Sequence, residues 1–306
     1  MAAEEARDHH YAPQFFLRNF AVDQARNRVT TVAKHGLLAV WAERSIQKIA
    51  HERDFYVHMS GGIPVSVETA INQRIETPLS QSDTWAKITT GRADALYASE
   101  KPILYALIRH LEARTPHYEA TMKELAVMAE NPDSEIPFTA DERAQFAFLR
   151  AHKDLAKMTF NTMAATLTWT ENAFKGAGMT ILRWPIPLRS STIPVLAIPA
   201  PPHPAIKLPL PGMVPYTLIL MLNTATALFL NLGDFDGEFL NMQMDQQTAL
   251  GLNRHFVGQF AHFPQVRHLI ASRENLADDM AWAHYALVKD ERRTMTFRRQ
   301  PFPAAS

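Results

Sequence analysis

The sequence predicts an α+β fold in which an antiparallel or mixed sheet, built from N- and C-terminal strands, packs against a central α-helical block. Short β-branched and aromatic runs bounded by turn residues cluster at both ends of the chain, and apolar residues recur at helical spacing in the middle. Ten of the 20 prolines fall between Pro185 and Pro215, where no helix interior accommodates them. One α+β domain is expected over residues 1–275, followed by a C-terminal helix and tail over 276–306. Within it, N-terminal strands occupy 1–63, helices 64–175, strands 179–232 and a helix 245–275, with both β regions joining into one sheet.

Phe16, Leu17 and Phe20 recur at helical spacing after Pro13, a residue that starts helices well. Arg28 to Ala33 and Leu37 to Trp41 read as a hairpin, with Asp23 to Asn27 as turn material, and Phe55 to His58 as a third short strand. Ser66 is the expected N-cap of a helix carrying Val67, Ile71, Ile75 and Leu79. Helical stripes follow at Lys101 to Leu111 and Tyr118 to Ala129, and Thr139-Ala-Asp-Glu142 reads as the capped start of a long helix. Met179 to Trp184, Thr192 to Ile198, Tyr216 to Leu222 and Ala227 to Leu232 read as strands. Asp234-Phe235-Asp236-Gly237 reads as a plain turn, because the later ligands of a calcium loop are missing. A helix from about Asp245 to His262 carries Leu250, Phe256, Val257 and Phe260 on one side, and the basic end from Glu291 to Arg299 reads as frayed.

Composition removes whole classes of function. The chain is 47% hydrophobic and 20% charged, which suits a cored protein rather than a disordered one. Its 31 basic and 31 acidic residues cancel, so nucleic acid would have to be met through a local basic patch. No cysteine means no disulfide, no thiolate nucleophile and no Cys-ligated metal, which leaves 13 histidines as candidate ligands or bases. Met1 to Arg7 is acidic where a secretion signal is basic, and Tyr216 to Leu232 is too short and too polar to span a bilayer. A cytoplasmic protein without a membrane partner is expected. Gly-rich phosphate loops, Gly-x-Ser-x-Gly elbows, His-Glu-x-x-His pairs and dinucleotide fingerprints do not occur.

The candidate site comes from polar residues that fall on apolar stripes, since burying an unpaired charge costs several kcal/mol. At about 100° per residue, Glu68 lies inside the stripe of Val67, Ile71, Ile75 and Leu79, and Glu76 sits at its edge near +80°. Glu68 can equally complement the helix dipole, and Glu76 can equally form a plain salt bridge. Arg114 follows Leu107 by seven and Leu111 by three, so it projects from the core side and seeks a carboxylate or phosphate. Its alternatives are capping of the helix end or a structural pair with Glu68 or Glu76. Of His9 and His10, His10 is expected to point inward. Asn253 falls on the buried side of its helix, where bracing of backbone is favoured over ligand contact.

These pieces resemble a family known as domain of unknown function 4238. His9-His-Tyr-Ala-Pro-Gln-Phe-Phe-Leu-Arg-Asn-Phe20 resembles its N-terminal hallmark, and Ser45 to Ala50 with Asp54-Phe-Tyr56 resembles its second block. Glu68 and Glu76 match its two spaced glutamates, Ala113-Arg-Thr-Pro116 its Arg-Thr-Pro motif, and Leu252-Asn253 its C-terminal asparagine element. Where the family shows Ser-Asp-x-Pro, this chain reads Ser191-Thr-Ile-Pro194, so Thr192 stands in place of the acid.

The expected chemistry is metal-assisted hydrolysis, of a phosphodiester above all, as in a nuclease acting in defence. In that expectation His10, Glu68 and Glu76 hold Mg²⁺ or Mn²⁺, and Arg114 neutralises developing phosphoryl charge, so these four are the catalytic candidates. The alternative is a non-catalytic binding or interaction protein whose polar cluster is a structural brace, which Thr192 and the zero net charge favour.

Overall fold

The computed structural model describes residues 8–23, 25–134, 136, 138–165, 171–199, 216–231 and 237–293. The chain enters through β1 (Asp8–His10) and a single helical turn, α1 (Gln14–Leu17), which starts near Pro13 as the sequence predicts, with Pro13 as its N-cap. β2 (Arg28–His35) and β3 (Leu38–Ser45) form the expected hairpin in the register His35 to Leu38. Gly36 opens its two-residue turn at φ +61°, a conformation that a side chain disfavours. β4 (His51–Arg53) then pairs antiparallel with β1, placing His51 opposite His10. β5 (Val57–Ser60) begins two residues later than the expected strand, because Asp54 turns the chain at φ +56° and leaves Phe55 and Tyr56 in that turn. β5 pairs with β6 (Ile63–Ser66).

Ser66 therefore ends a strand rather than capping a helix. The N-cap of α2 (Glu68–Ile71) is Val67, although the Ser66 hydroxyl still accepts from the Glu68 amide at 3.3 Å. A π turn over Asn72–Glu76 joins α2 to α3 (Thr77–Ser80). The rest of the helical block comprises α4 (Asp83–Thr89), α5 (Lys101–Ala113), α6 (Pro116–Glu130), α7 (Ala140–Ala151), α8 (Lys153–Ala165) and α9 (Glu171–Gly176). α7 starts in the predicted capping box of Thr139 and Glu142.

Then follow β7 (Gly178–Arg183), β8 (Ser190–Ser191), β9 (Val195–Pro199), β10 (Tyr216–Asn223), β11 (Thr226–Asn231), β12 (Phe239–Gln243), α10 (Gln246–His262), β13 (His268–Ile270) and α11 (Leu276–Arg293). β9 begins three residues later than expected, after Pro194, and β12 and β13 are strands the sequence reading leaves out. The sequence's proline-rich stretch from 200 to 215, the Asp234 to Asp236 turn and the chain beyond 293 lie outside the described residues.

The fold is α+β, with one correction. The two β regions do not merge into one sheet. Among the described residues they form a four-stranded sheet in the order β3-β2-β13-β8 and a five-stranded one in the order β12-β7-β11-β10-β9, besides the β1-β4 and β5-β6 ladders. Early and late strands meet only where β13 lies antiparallel between β2 and β8. Leu218 to Leu222 of β10 are fully buried, which is why they read as an unbroken apolar run rather than an alternation. α5 packs on β9, β10 and β11 through a stripe that includes Leu104, Leu107, Ile108 and Leu111, each 0 or 1% exposed. No described helix is long and apolar enough to cross a membrane.

Candidate functional site

The Arg-Thr-Pro segment marks the end of one helix and the start of the next. Arg114 is the C-cap of α5, Thr115 caps α6 by accepting from the Tyr118 amide at 3.2 Å, and Pro116 fills the first helical position, which needs no N–H. Arg114 thus leaves the core-facing side of α5 where the helix stops, and its side chain has no exposed surface.

Four of the five guanidinium N–H groups meet acceptors of the same fold. Nε donates to the Tyr56 hydroxyl at 2.9 Å, Nη1 to a Glu76 carboxylate oxygen and to Nε2 of His110 at 2.8 Å, and Nη2 to the His10 backbone carbonyl. The guanidinium also lies over the Tyr56 ring, 5.3 Å from its centroid. Burial and the adjacent Arg114 charge hold His110 well below the ordinary histidine range, so its ring is neutral. Its Nε2 must then accept from Arg114, which puts the ring proton on Nδ1, a buried atom without a hydrogen-bond partner. Burial likewise pushes the Tyr56 hydroxyl up, so it stays protonated and donates to the Arg114 carbonyl.

Glu76 arrives at Arg114 through the π turn. Such a turn takes up one extra residue, so everything after it is rotated back by about 100°. Glu76 moves from the edge of the stripe into its middle, and Ile71, Ile75 and Leu79 stay buried.

Glu68, about two turns earlier, has no ion-pair partner among the described residues, though Asn72 bonds its carboxyl. Its carboxyl is pushed up to about 7 by burial, opposed by the Arg114 charge and reinforced by that of Glu76, and its Oε2 is buried without a hydrogen-bond partner. His10 is lowered by burial and by His51, whose ring centroid is 5.5 Å away; a backbone hydrogen bond with Ile46 opposes this, and Nε2 is left buried and unpartnered.

Of the four sequence-derived candidates, Arg114 thus bonds the Glu76 side chain and the His10 backbone carbonyl and feels Glu68 through its charge, with two differences from the expected site. His9, not His10, is the more buried of the histidine pair: it is 2% exposed, stacks on Tyr56 and accepts from the Tyr56 amide at 2.9 Å. The strand takes His9 inward and leaves His10 half-buried at the rim of β1. Second, the side chains are not drawn together around a common point. Glu76 faces Arg114, and among the described residues no three His, Asp or Glu side chains are arranged to hold a metal ion. His10, Glu68 and Glu76 as placed do not form a ready cation cage.

Sequence reasoning missed His110, although its position four before Arg114 on the same helix face is a readable signal. Thr192 lies elsewhere, fully buried, with its hydroxyl 3.3 Å from the His268 amide. Asn253 is buried and braces backbone: Oδ1 accepts from the Arg189 amide at 2.8 Å and Nδ2 donates to the Pro187 carbonyl at 3.1 Å. Arg189 in turn reaches both carboxylate oxygens of buried Asp279 on α11 at 2.9 Å.

Over residues 8–201, more than half of its length, the chain matches the family described as Protein of unknown function (DUF4238). It belongs to that family. The DUF4238 match takes in His10, Tyr56, Glu68, Glu76, Arg114 and Thr192, and it ends before Asn253 and Asp279. No curated protein and no solved structure matches the chain.

Proposed function

We propose that this DUF4238 chain is a non-catalytic binding or interaction protein in which the Arg114 cluster is a buried bracket. One observation carries the reading: Arg114 has no exposed surface, and its guanidinium is spent on four groups of its own fold. A residue that neutralises charge on a reacting phosphodiester has to reach it. Freeing Arg114 for that task would leave the Glu76 carboxylate unpaired in a mostly buried place. The balanced net charge and Thr192 support the same reading, and the cytoplasm is the compartment it assumes.

The experiment is a calorimetric titration of the purified chain and of Glu76→Ala with Mn²⁺ and Mg²⁺, alongside thermal melts of Arg114→Ala. Expected are no saturable heat from either protein and a marked fall in Tm for Arg114→Ala. Micromolar Mn²⁺ binding that Glu76→Ala abolishes, with an unchanged Tm for Arg114→Ala, would overturn the reading.

A second reading, metal-assisted phosphodiester hydrolysis as in a defence nuclease, is favoured by Glu68 and His10. A carboxyl that titrates at about 7 and an imidazole held below its ordinary range, both in the field of the Arg114 charge, are materials for acid–base chemistry near neutral pH. Mg²⁺ or Mn²⁺ would draw on Glu68 and His10, and Glu76 is the weak member of that set because its carboxylate already serves Arg114. Nucleic acid would then meet a local basic patch, for which Arg254 and Lys289, stacked on Trp282 and Tyr285 between α10 and α11, are the candidates.

A further inference from the structure

α6, α7 and α8 line a half-open cleft of about 540 Å³ that shares no residue with the Arg114 cluster. Its walls are apolar: Met122 and Ala126 from α6, Phe146 and Leu149 from α7, Phe160 and Met163 from α8. Packed helices normally close such apolar space between them, because unfilled volume forfeits contacts along its lining. Here the third helix fails to close it. α7 has no buried residue over its 12 positions, and Phe146 and Leu149, which face the cavity, are only half-buried. A helix so weakly anchored opens at low cost.

The charge at the cavity is one-sided. Lys123, Arg150, Lys153 and Lys157 line it together with a single carboxylate, Glu119. Glu119 binds both Lys123 and Lys157 at 2.8 Å, so one negative charge is shared between two cations. Arg150 pairs with Glu130, and Lys153 has no ion-pair partner among the described residues. Lys157 also sits over the rings of Phe55, at 4.4 Å, and Phe160, at 4.8 Å. An apolar interior under a net positive rim calls for an occupant with a hydrocarbon body and one anionic end, and the volume falls in the range of small-molecule sites.

We propose that the α6–α8 cavity is a binding site for an amphiphilic anion, a medium-chain carboxylate in chemical class, whose chain lies among Ala126, Phe146 and Phe160 and whose head meets Lys153. The site names a ligand class for the binding reading above and is separable from it, since it shares no residue with the Arg114 cluster. Phe160 touches Phe55, which touches Tyr56, so occupancy abuts the bracket through a chain of edge-on rings 5.6 and 4.8 Å apart.

The test is calorimetric titration of the full chain with dodecanoate and with dodecyltrimethylammonium, both below their micelle thresholds. Saturable one-to-one binding of dodecanoate is expected, with the cationic amphiphile at least roughly tenfold weaker. Lys153→Glu, an exposed change, should weaken dodecanoate roughly three- to tenfold at low salt and leave Tm unchanged. Ala126→Phe, checked for an intact melting transition, should remove binding by filling the cavity. Equal affinity for both amphiphiles, full affinity in either folded variant, or no saturable heat with dodecanoate, as for a groove that docks a protein segment, would each overturn the proposal. None of these results bears on the Mn²⁺ titration, so the two readings fail separately.

Discussion

Tyr56 and Arg114 hold each other at both ends: the Arg114 Nε donates to the Tyr56 hydroxyl at 2.9 Å, and that hydroxyl donates to the Arg114 backbone carbonyl at 2.9 Å. The exchange satisfies a helix-end carbonyl and a buried guanidinium with one phenol, and it ties the turn before β5 to the end of α5. The remaining guanidinium bonds add the π-turn helix through Glu76 and β1 through the His10 carbonyl. Four segments far apart in sequence thus share one buried cation.

Removing that cation should be among the most damaging single changes in the chain. Arg114→Ala takes the donor from a mostly buried carboxylate, the His110 Nε2 and the His10 carbonyl, and leaves Tyr56 only its bond to the carbonyl of residue 114, a loss of about 3–5 kcal/mol, or roughly 5–8 °C in Tm. Arg114→Lys should recover less than half of it, because an ammonium cannot point at four acceptors spread around a plane. Tyr56→Phe should cost about 1–3 kcal/mol. Denaturant melts of the three variants measure this; a fully stable Arg114→Ala protein would show that the bracket is idle.

How much of this was visible beforehand depended on whether the signal was local. Glu68, Glu76 and Arg114 stand out because each breaks an apolar stripe, and the helix-period rule that exposes them needs no tertiary knowledge. The hairpin β2–β3 and the boundaries of α5, α6 and α10 follow from caps and turns in the same way. β12 and β13 were invisible: Phe239 to Gln243 has no alternation, and His268 to Ile270 is three residues long and exists because β2 and β8 flank it. That pairing is also why two sheets, and not one, form. The sequence takes His10 inward where the structure takes His9, because inward direction in a three-residue strand is set by its partner β4.

Glu68 gives the fold a pH dependence with a definite sign. Its folded-state value of about 7 lies above the ordinary 4.5, so below 4.5 both folded and unfolded carboxyls are protonated and nothing is lost. From about 4.5 up to about 7 the unfolded chain releases the proton while the folded one keeps it, and stability falls. Above 7 the penalty is complete, on the order of 3 kcal/mol. Glu68→Gln should therefore melt higher than wild type at pH 8 and match it at pH 4. A variant less stable than wild type at pH 8 would mean that the ionised carboxylate is needed.

His268 acts in the opposite direction. Burial, with Arg44 and Arg267 adding repulsion, lowers it to about 4, whereas the unfolded value is 6.5. Between those pH values the unfolded chain takes up a proton that the folded one refuses, so stability drops as pH falls through the interval. His268→Gln should flatten this acid limb by roughly 2–3 kcal/mol between pH 6.5 and 4. Urea unfolding at half-unit pH steps would reveal it, and an unchanged slope in the variant would remove His268 from the account.

The π turn offers a sharper test, because it is the device that points Glu76 at Arg114. Gln73 is an exposed residue inside the turn. Deleting it lets Glu68 to Ser80 run as a regular α-helix in which Glu76 follows Glu68 by seven residues, about 700° or −20°, the direction the π turn already gives it. The Arg114–Glu76 pair should therefore survive the deletion, which should cost no more than about 1 kcal/mol, whereas Glu76→Ala should cost roughly 2–4 kcal/mol through the cation it leaves underpaired. Glu76→Ala should cost as much in the deletion background as in the full chain, so the two losses should add within about 0.5 kcal/mol in a double-mutant cycle. A deletion as damaging as Glu76→Ala, with little further loss in the double variant, would mean that the pair needs the turn itself and not only the direction it sets.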